Sequence, residues 1–162
     1  LFDRLSEIID KEKSIYDGIL ELARKKTDVI VEGKVSELEE ITKLEQSMIL
    51  KLGKLEEERE QVVSEIARQN QAEASGLTLE ILVKMAPEPC SKKLRESGKN
   101  LENVIKELSK TNTLNSKLIK SSLDYIDFSI NVLTGASSAG ETYGSAGLSN
   151  EAKKRNFFDM KL

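Results

Sequence analysis

Glu32-Gly33-Lys34-Val35-Ser36-Glu37-Leu38-Glu39 is the stretch on which the fold turns, because one helical pattern stops in it and another begins. Gly33 interrupts an apolar periodicity. Ser36, with Glu39 three residues on, reads as a capping box, in which the two side chains satisfy free backbone N–H groups at a helix start. A turn flanked by two helices predicts a helical hairpin.

Working upstream, Leu1, Leu5, Ile8, Ile15, Ile19, Leu22 and Val29 recur at three, four or seven residues, beside a second line of Phe2, Ile9, Tyr16, Ala23 and Ile30. This predicts a helix over about 1–32. Two adjacent apolar lines make a stripe wider than a two-stranded coiled-coil seam, as suits a helix that touches two others. Downstream, Leu38, Ile41, Met48, Leu52, Leu55, Val62 and Ile66 carry a second helix from 36 to about 71, where Ala72-Glu73-Ala74-Ser75-Gly76 ends it.

Both seams are broken by charge at corresponding places: Glu12 and Lys26 on the first helix, Glu45 and Arg59 on the second. Folding the hairpin so that paired residue numbers sum to about 71 sets Lys26 opposite Glu45 and Glu12 opposite Arg59. The same register pairs Leu5 with Ile66, Ile8 with Val63, Ile19 with Leu52, Leu22 with Ile49, and Ile30 with Ile41. Partly exposed pairs contribute only about 0–1 kcal/mol each, so their expected role is to fix register more than to add stability.

Thr78 to Met85 reads as a short capped helix, about 79–86, which connects to the third and covers the hairpin end. Pro87 and Pro89 stop it, since each lacks a backbone donor and restrains its predecessor. A third helix over 90–133 has its seam at Leu94, Leu101, Ile105, Leu108, Ile119, Ile126, Ile130 and Leu133, with Gly98 weakening its first half by about 1 kcal/mol relative to Ala. The second helix is mainly acidic, and the first half of the third carries Lys92, Lys93, Arg95, Lys99, Lys106 and Lys110, a pattern that either packs the two side by side or marks merely solvated faces. Beyond it, Thr134-Gly135-Ala136-Ser137-Ser138-Ala139-Gly140 has too few apolar groups to offset the entropy of ordering. The expected architecture is all-α: an elongated antiparallel three-helix bundle or coiled coil with a short connector helix, forming one domain over 1–134, and a flexible C-terminal tail over 135–162.

Composition agrees with long solvated helices, with 33% charged residues, 4% aromatics, and neither Trp nor His among 162 residues. A net charge of −3 provides no broad field for phosphate backbones or anionic membranes, so nucleic acid is not an expected partner. No run approaches the roughly 18 apolar residues of a membrane span. The start, Leu1-Phe2-Asp3-Arg4-Leu5, lacks the apolar stretch of a secretory signal, and in the absence of an initiator Met further residues are expected ahead of Leu1. Cys90 is the single cysteine, which rules out an internal disulfide and favours a cytoplasmic setting. Cys90 is expected to pack as a small hydrophobe.

Neither a phosphate loop, a nucleophile elbow, a paired-carboxylate cleft nor metal-spaced ligands can be found, so no enzyme activity, metal or cofactor is expected. The informative element is the third helix. Leu118, Ile119, Leu123, Tyr125, Ile126, Phe128, Ile130, Val132 and Leu133 encircle too much of it to face a two-helix hairpin, and at about 1.5 Å per residue it is some 15 Å longer than its neighbours. An apolar helix face left over in this way invites a partner's amphipathic segment. Asn112 and Asn115 fall on the seam between Leu108 and Ile119, where their amides either serve a partner or select register within the bundle.

At these residues the sequence resembles the FlgN family of flagellar export chaperones. The likeness is carried by Leu20-Glu21-Leu22-Ala23 to Gly33 with its Glu-rich hairpin, by Asn112-Thr113-Leu114-Asn115-Ser116-Lys117-Leu118-Ile119, and by Thr142-Tyr143-Gly144-Ser145-Ala146-Gly147. The resemblance implies a cytoplasmic chaperone that binds the C-terminal segments of the flagellar hook-associated proteins of the hook–filament junction. It would keep them from premature assembly and deliver them to the type III export gate. It assigns the client to roughly residues 112–133, giving Asn112, Asn115, Leu118, Ile119, Leu123, Ile126, Ile130 and Leu133 as client-binding residues, and matches Tyr143 to a tail tyrosine associated with export-gate docking. The rival reading is a coiled-coil adaptor that forms a homodimer through its third helix. A further expectation is that the terminal Phe157-Phe158 cluster folds back over the client face, at the high effective concentration of a tethered segment.

Overall fold

The computed structural model describes residues 1–139. Its elements are α1 (Phe2–Glu32), α2 (Val35–Gln69), α3 (Leu79–Met85) and α4 (Cys90–Ala139), with a 3-10 turn at Ala74–Gly76 between α2 and α3. No strand occurs among the described residues, so the protein is all-helical.

The deciding turn is tighter than a capping box would make it. Gly33 adopts the left-handed conformation at φ 69° and ψ 26°, a region that costs a residue with a Cβ about 1 kcal/mol or more. From there the Gly33 N–H donates to the Ile30 carbonyl and the Lys34 N–H to the Val29 carbonyl, closing α1 with the paired bonds of a glycine-terminated helix end. The second helix follows at once, with Leu38 N–H on the Lys34 carbonyl. Ser36 therefore lies inside α2, whose N-cap is Lys34 with no side-chain cap bond. The predicted Ser36–Glu39 box does not form because the glycine turn uses only two residues and the helix starts before Ser36 can flank it.

The hairpin register matches the charge pattern. Lys26 pairs with Glu45, and Arg59 forms an ion pair with Glu12, Nε to Oε1 at 3.3 Å, so both predicted pairs form and α1 and α2 run antiparallel. Leu5, Ile8 and Ile9 of α1 share a core cluster with Val62 and Ile66 of α2. Ile19, Leu20 and Ala23 form a second cluster against Met48 and Leu52. Ile49, the predicted partner of Leu22, keeps 56% of its surface exposed. Met48 occupies the interface instead, its Cε close against Gly18, where a Cβ would stand only 3.2 Å away.

α2 ends at Gln69 rather than about 71, because Gln71 turns left-handed at φ 53° and the Ala72 N–H closes on the Ala67 carbonyl. α3 is capped by Thr78, whose hydroxyl accepts from the Ile81 N–H at 3.4 Å. It buries Leu82 and Val83 in the cluster that holds Leu5 and Ile66, at the end of the hairpin. Gly98 of α4 has a packing role as well as a propensity cost. A Cβ there would lie 2.2 Å from Leu79 Cδ2, so the glycine lets α3 lie directly on α4.

The first part of α4 runs parallel to α1. Cys90 Sγ donates to Asp3 at 3.5–3.6 Å, Arg24 pairs with Glu107 at 2.7 Å, and Leu108 joins the Ile19–Ala23 cluster. Ser91 Oγ, donating to the Val83 carbonyl at 2.7 Å, ties the start of α4 to α3. Cys90 is half-buried, as an ordinary free cysteine is expected to be, and burial together with the Asp3 carboxylate pushes its thiol above the ordinary value. Among the described residues no ion pair joins α2 to α4, although Val62 and Ile66 of α2 share a core cluster with Leu94 of α4.

Periodicity predicts that this helix ends at Leu133, yet α4 continues to Ala139. Helix propagation adds one hydrogen bond per residue once a helix is nucleated, and the Ala and Ser residues after Gly135 are adequate helix formers. The chain divides into two units, Leu1–Leu123 and Asp124–Leu162, and the packing above belongs to the first.

Candidate functional site

In the first unit, the residues that matter follow from where α4 loses its neighbour. Side-chain hydrogen bonds between α1 and α4 join residues 83–92 apart. An offset of 88, that of Thr27 and Asn115, sets Glu32, the last residue of α1, opposite Lys120. Short of that point α4 has a helix to pack on, and Asn115 is its last polar anchor. Asn115 is 3% exposed; its Nδ2 donates to the Ala23 carbonyl at 2.8 Å, and its Oδ1 accepts from Thr27 Oγ1 at 2.6 Å. Its amide is engaged within the protein, by Ala23 and Thr27 of α1. Asn112 by contrast is exposed, Leu118 half-buried, and Ile119 and Leu123 exposed. Leu114, whose apolar side chain sits between the two asparagines, is 48% exposed. Its signal was present in the sequence as an apolar residue off the main seam.

In the second unit, Tyr125, Ile126, Phe128, Ile130, Val132 and Leu133 are all large apolar residues with more than two-fifths of their surface in water. Ser129 and Thr134 return their hydroxyls to the backbone carbonyls one turn earlier, Tyr125 and Ile130, at 2.8 Å, while the large apolar side chains beside them are exposed. Monomeric proteins seldom leave so many large apolar side chains together in water unless they bind something. Tyr143, Phe157 and Phe158 lie outside the described residues.

The electrostatic centre of the first unit is the Glu12–Arg59–Glu56 cluster. Glu12 is 4% exposed, and Arg59 bridges it to Glu56, which accepts from Arg59 Nη2 at 2.5 Å. Burial pushes the Glu12 carboxyl above its ordinary value of 4.5; the Arg59 charge opposes this without cancelling it, and Glu56 adds repulsion. The folded state therefore holds the Glu12 proton more tightly than the unfolded chain does. Glu12 adds stability as pH falls through the folded value, and the gain is complete once pH is below about 4.5. Comparing wild type with Glu12→Gln by urea unfolding between pH 7 and 4.5, the stability difference is expected to move steadily in favour of wild type as pH falls. A difference that stays flat would show that Glu12 is not desolvated.

Among the described residues no group of three or more His, Cys, Asp or Glu could hold a metal ion, and no helix is long and apolar enough to cross a membrane. The protein-family model described as FlgN protein matches residues 1–151. The chain belongs to the FlgN family. FlgN proteins are flagellar export chaperones, a family of chaperones and not of enzymes. The match covers all of α1 to α4, so the Asn115 anchor and the exposed apolar residues of α4 are features of a FlgN chain. No curated protein and no solved structure matches the chain.

Proposed function

We propose that this FlgN protein is a cytoplasmic export chaperone that binds the C-terminal helices of the hook-associated proteins at the hook–filament junction. It prevents their premature assembly and presents them to the flagellar type III export gate, with Tyr143 as the docking residue. In this reading α1, α2 and the first part of α4 form a three-helix bundle that serves as scaffold. The client lies on the later part of α4, at Asn112, Leu118, Ile119 and Leu123 in the first unit and at Ile126, Ile130 and Leu133 in the second.

The observation that carries the reading is the exposure of large apolar side chains over 125–133 in a chaperone of this family. A client helix that buries its own apolar face there gains about 1.5–3 kcal/mol gross per anchor, reduced by the cost of ordering the segment. The complex is therefore reversible, as delivery requires. Ile126→Asp is expected to weaken binding of a hook-associated C-terminal peptide by at least about tenfold, since a charge would have to be desolvated at the contact. Titration calorimetry reads the affinity, and circular dichroism should show wild-type helicity because Ile126 is half exposed. Unchanged affinity would refute the site. A stable homodimer in light scattering that Ile126→Asp dissolves would support the self-associating adaptor in its place.

A further inference from the structure

Above α1, between α2 and α4, the first unit carries an open groove of about 590 Å³. Tyr16 and Ile19 form its floor, Ile49 and Leu52 one wall, and Ile105 and Leu108 the other. Ile49 and Ile105, both lining it, keep 56% and 39% of their surface exposed. From Leu101 to Asn112 the α4 wall is about 16 Å long at ~1.5 Å per residue, or three helical turns.

Two further features bear on what fills it. Gly53 lines the α2 wall in mid-helix, at a cost of about 1 kcal/mol relative to Ala. A Cβ at this position would meet nothing within 4 Å, so no contact within the chain requires the glycine. It leaves room for another backbone to approach. The second feature is charge. The ionisable groups lining the groove are Glu12, Glu56 and Arg59, whose charges sum to minus one. Glu12 is the desolvated member, and a cation brought beside the cluster would neutralise that excess.

The walls also define the occupant's backbone. All three are α-helices, whose mid-helix N–H and C=O groups are already paired, so an extended segment would find no backbone partners there. A helix satisfies its own backbone and presents apolar residues at i, i+3 or i+4, and i+7.

We propose that this groove takes an amphipathic helix from a partner protein, three turns long, carrying one Lys or Arg within its apolar face to meet the Glu12–Glu56–Arg59 cluster. The inference rests on the reading of the protein as a holder of partner helices, and adds a docking place separate from the exposed residues at 125–133. Packed on α1 between α2 and α4, the occupant makes a fourth helix, and Gly53 is the point of closest backbone approach.

The test uses the full chain and two synthetic peptides of about 18 residues, long enough to be helical when bound. Both are built from Leu, Ala, Glu and Lys, with either Lys or Glu at the centre of the Leu face, and binding is read by fluorescence anisotropy. The Lys-centred peptide is expected to bind at least about tenfold more tightly than the Glu-centred one. Gly53→Leu, a good helix former that fills the groove without touching the core, should weaken the Lys-centred peptide by about tenfold or more at a thermal stability no lower than wild type. Glu56→Lys should reverse the preference between peptides, and Ile126→Asp should leave both affinities as they are.

Absence of binding, equal affinity for the two peptides, or indifference to Gly53→Leu would each overturn the proposal. So would a homodimer that Gly53→Leu dissolves, because the groove would then belong to a second copy. If Ile126→Asp removes the hook-associated peptide while Gly53→Leu leaves the Lys-centred peptide bound, the chaperone reading stands and the groove proposal falls. If Gly53→Leu blocks the Lys-centred peptide while Ile126→Asp leaves the hook-associated peptide bound, the outcome is the reverse.

Discussion

Leu94→Ala is expected to lower the free energy of unfolding by about 3–4 kcal/mol, within the range for a fully buried Leu→Ala change. Leu94 is 0% exposed and belongs to one cluster with Leu5 of α1, Ile66 of α2 and Leu82 of α3. Its side chain is where the start of α4 meets the three other helices. Removing three carbons there leaves a cavity that no single helix can close, since a shift toward α1 opens a gap against α3. The loss is a large part of the roughly 5–15 kcal/mol of a typical domain. The midpoint of thermal unfolding should fall by about 10 °C. Urea unfolding followed by circular dichroism checks it, and a loss below about 1 kcal/mol would mean that α4 does not depend on this contact.

The second large effect concerns Lys26 and Glu45. The side chains are 16% and 12% exposed, far drier than surface pairs, so removing one partner leaves a charge with little water and no counter-ion. Lys26→Met is expected to cost about 2–4 kcal/mol. The double variant Lys26→Met with Glu45→Leu should return to within about 1 kcal/mol of wild type, because the buried charge goes with its partner. A double-mutant cycle in urea measures this directly. If Lys26→Met alone were harmless, the pair would be an ordinary surface contact and the register would rest on the apolar layers. The Glu12–Arg59 pair, on the same register, should hold the hairpin in place in the double variant.

These two sites bracket the division of labour in the molecule. Leu94 and its cluster anchor the end at which α1 starts, α2 finishes and α3 and α4 join. Further along, Asn115 fastens α4 to Ala23 and Thr27. Substituting apolar residues by charge at 125–133 perturbs neither anchor, which is why loss of binding there can be separated from loss of fold.

By itself the sequence determined the helices and the hairpin register. Apolar residues at three and four apart are a local, periodic signal, and Glu12, Lys26, Glu45 and Arg59 interrupt two such signals at positions that agree on one antiparallel alignment. The apolar girdle of α4 was legible for the same reason, since the excess of large side chains over what one seam can bury is a matter of counting.

Tertiary structure alone decided four things. Gly33 ends α1 so tightly that Ser36 falls within α2, which depends on backbone angles that residue types only bias. Met48 replaces Ile49 in the interface, and Gly98 accommodates Leu79, because side chains one residue apart compete for a gap whose size only the packed helices set. Asn115 turns inward while Asn112 stays exposed, since the choice rests on whether hydrogen-bonding groups lie opposite, as the Ala23 carbonyl and the Thr27 hydroxyl do for Asn115. And the groove between α2 and α4 opens beyond the cluster in which Val62 and Ile66 meet Leu94, because how far side chains fill the gap between two helices is set only once the helices are packed.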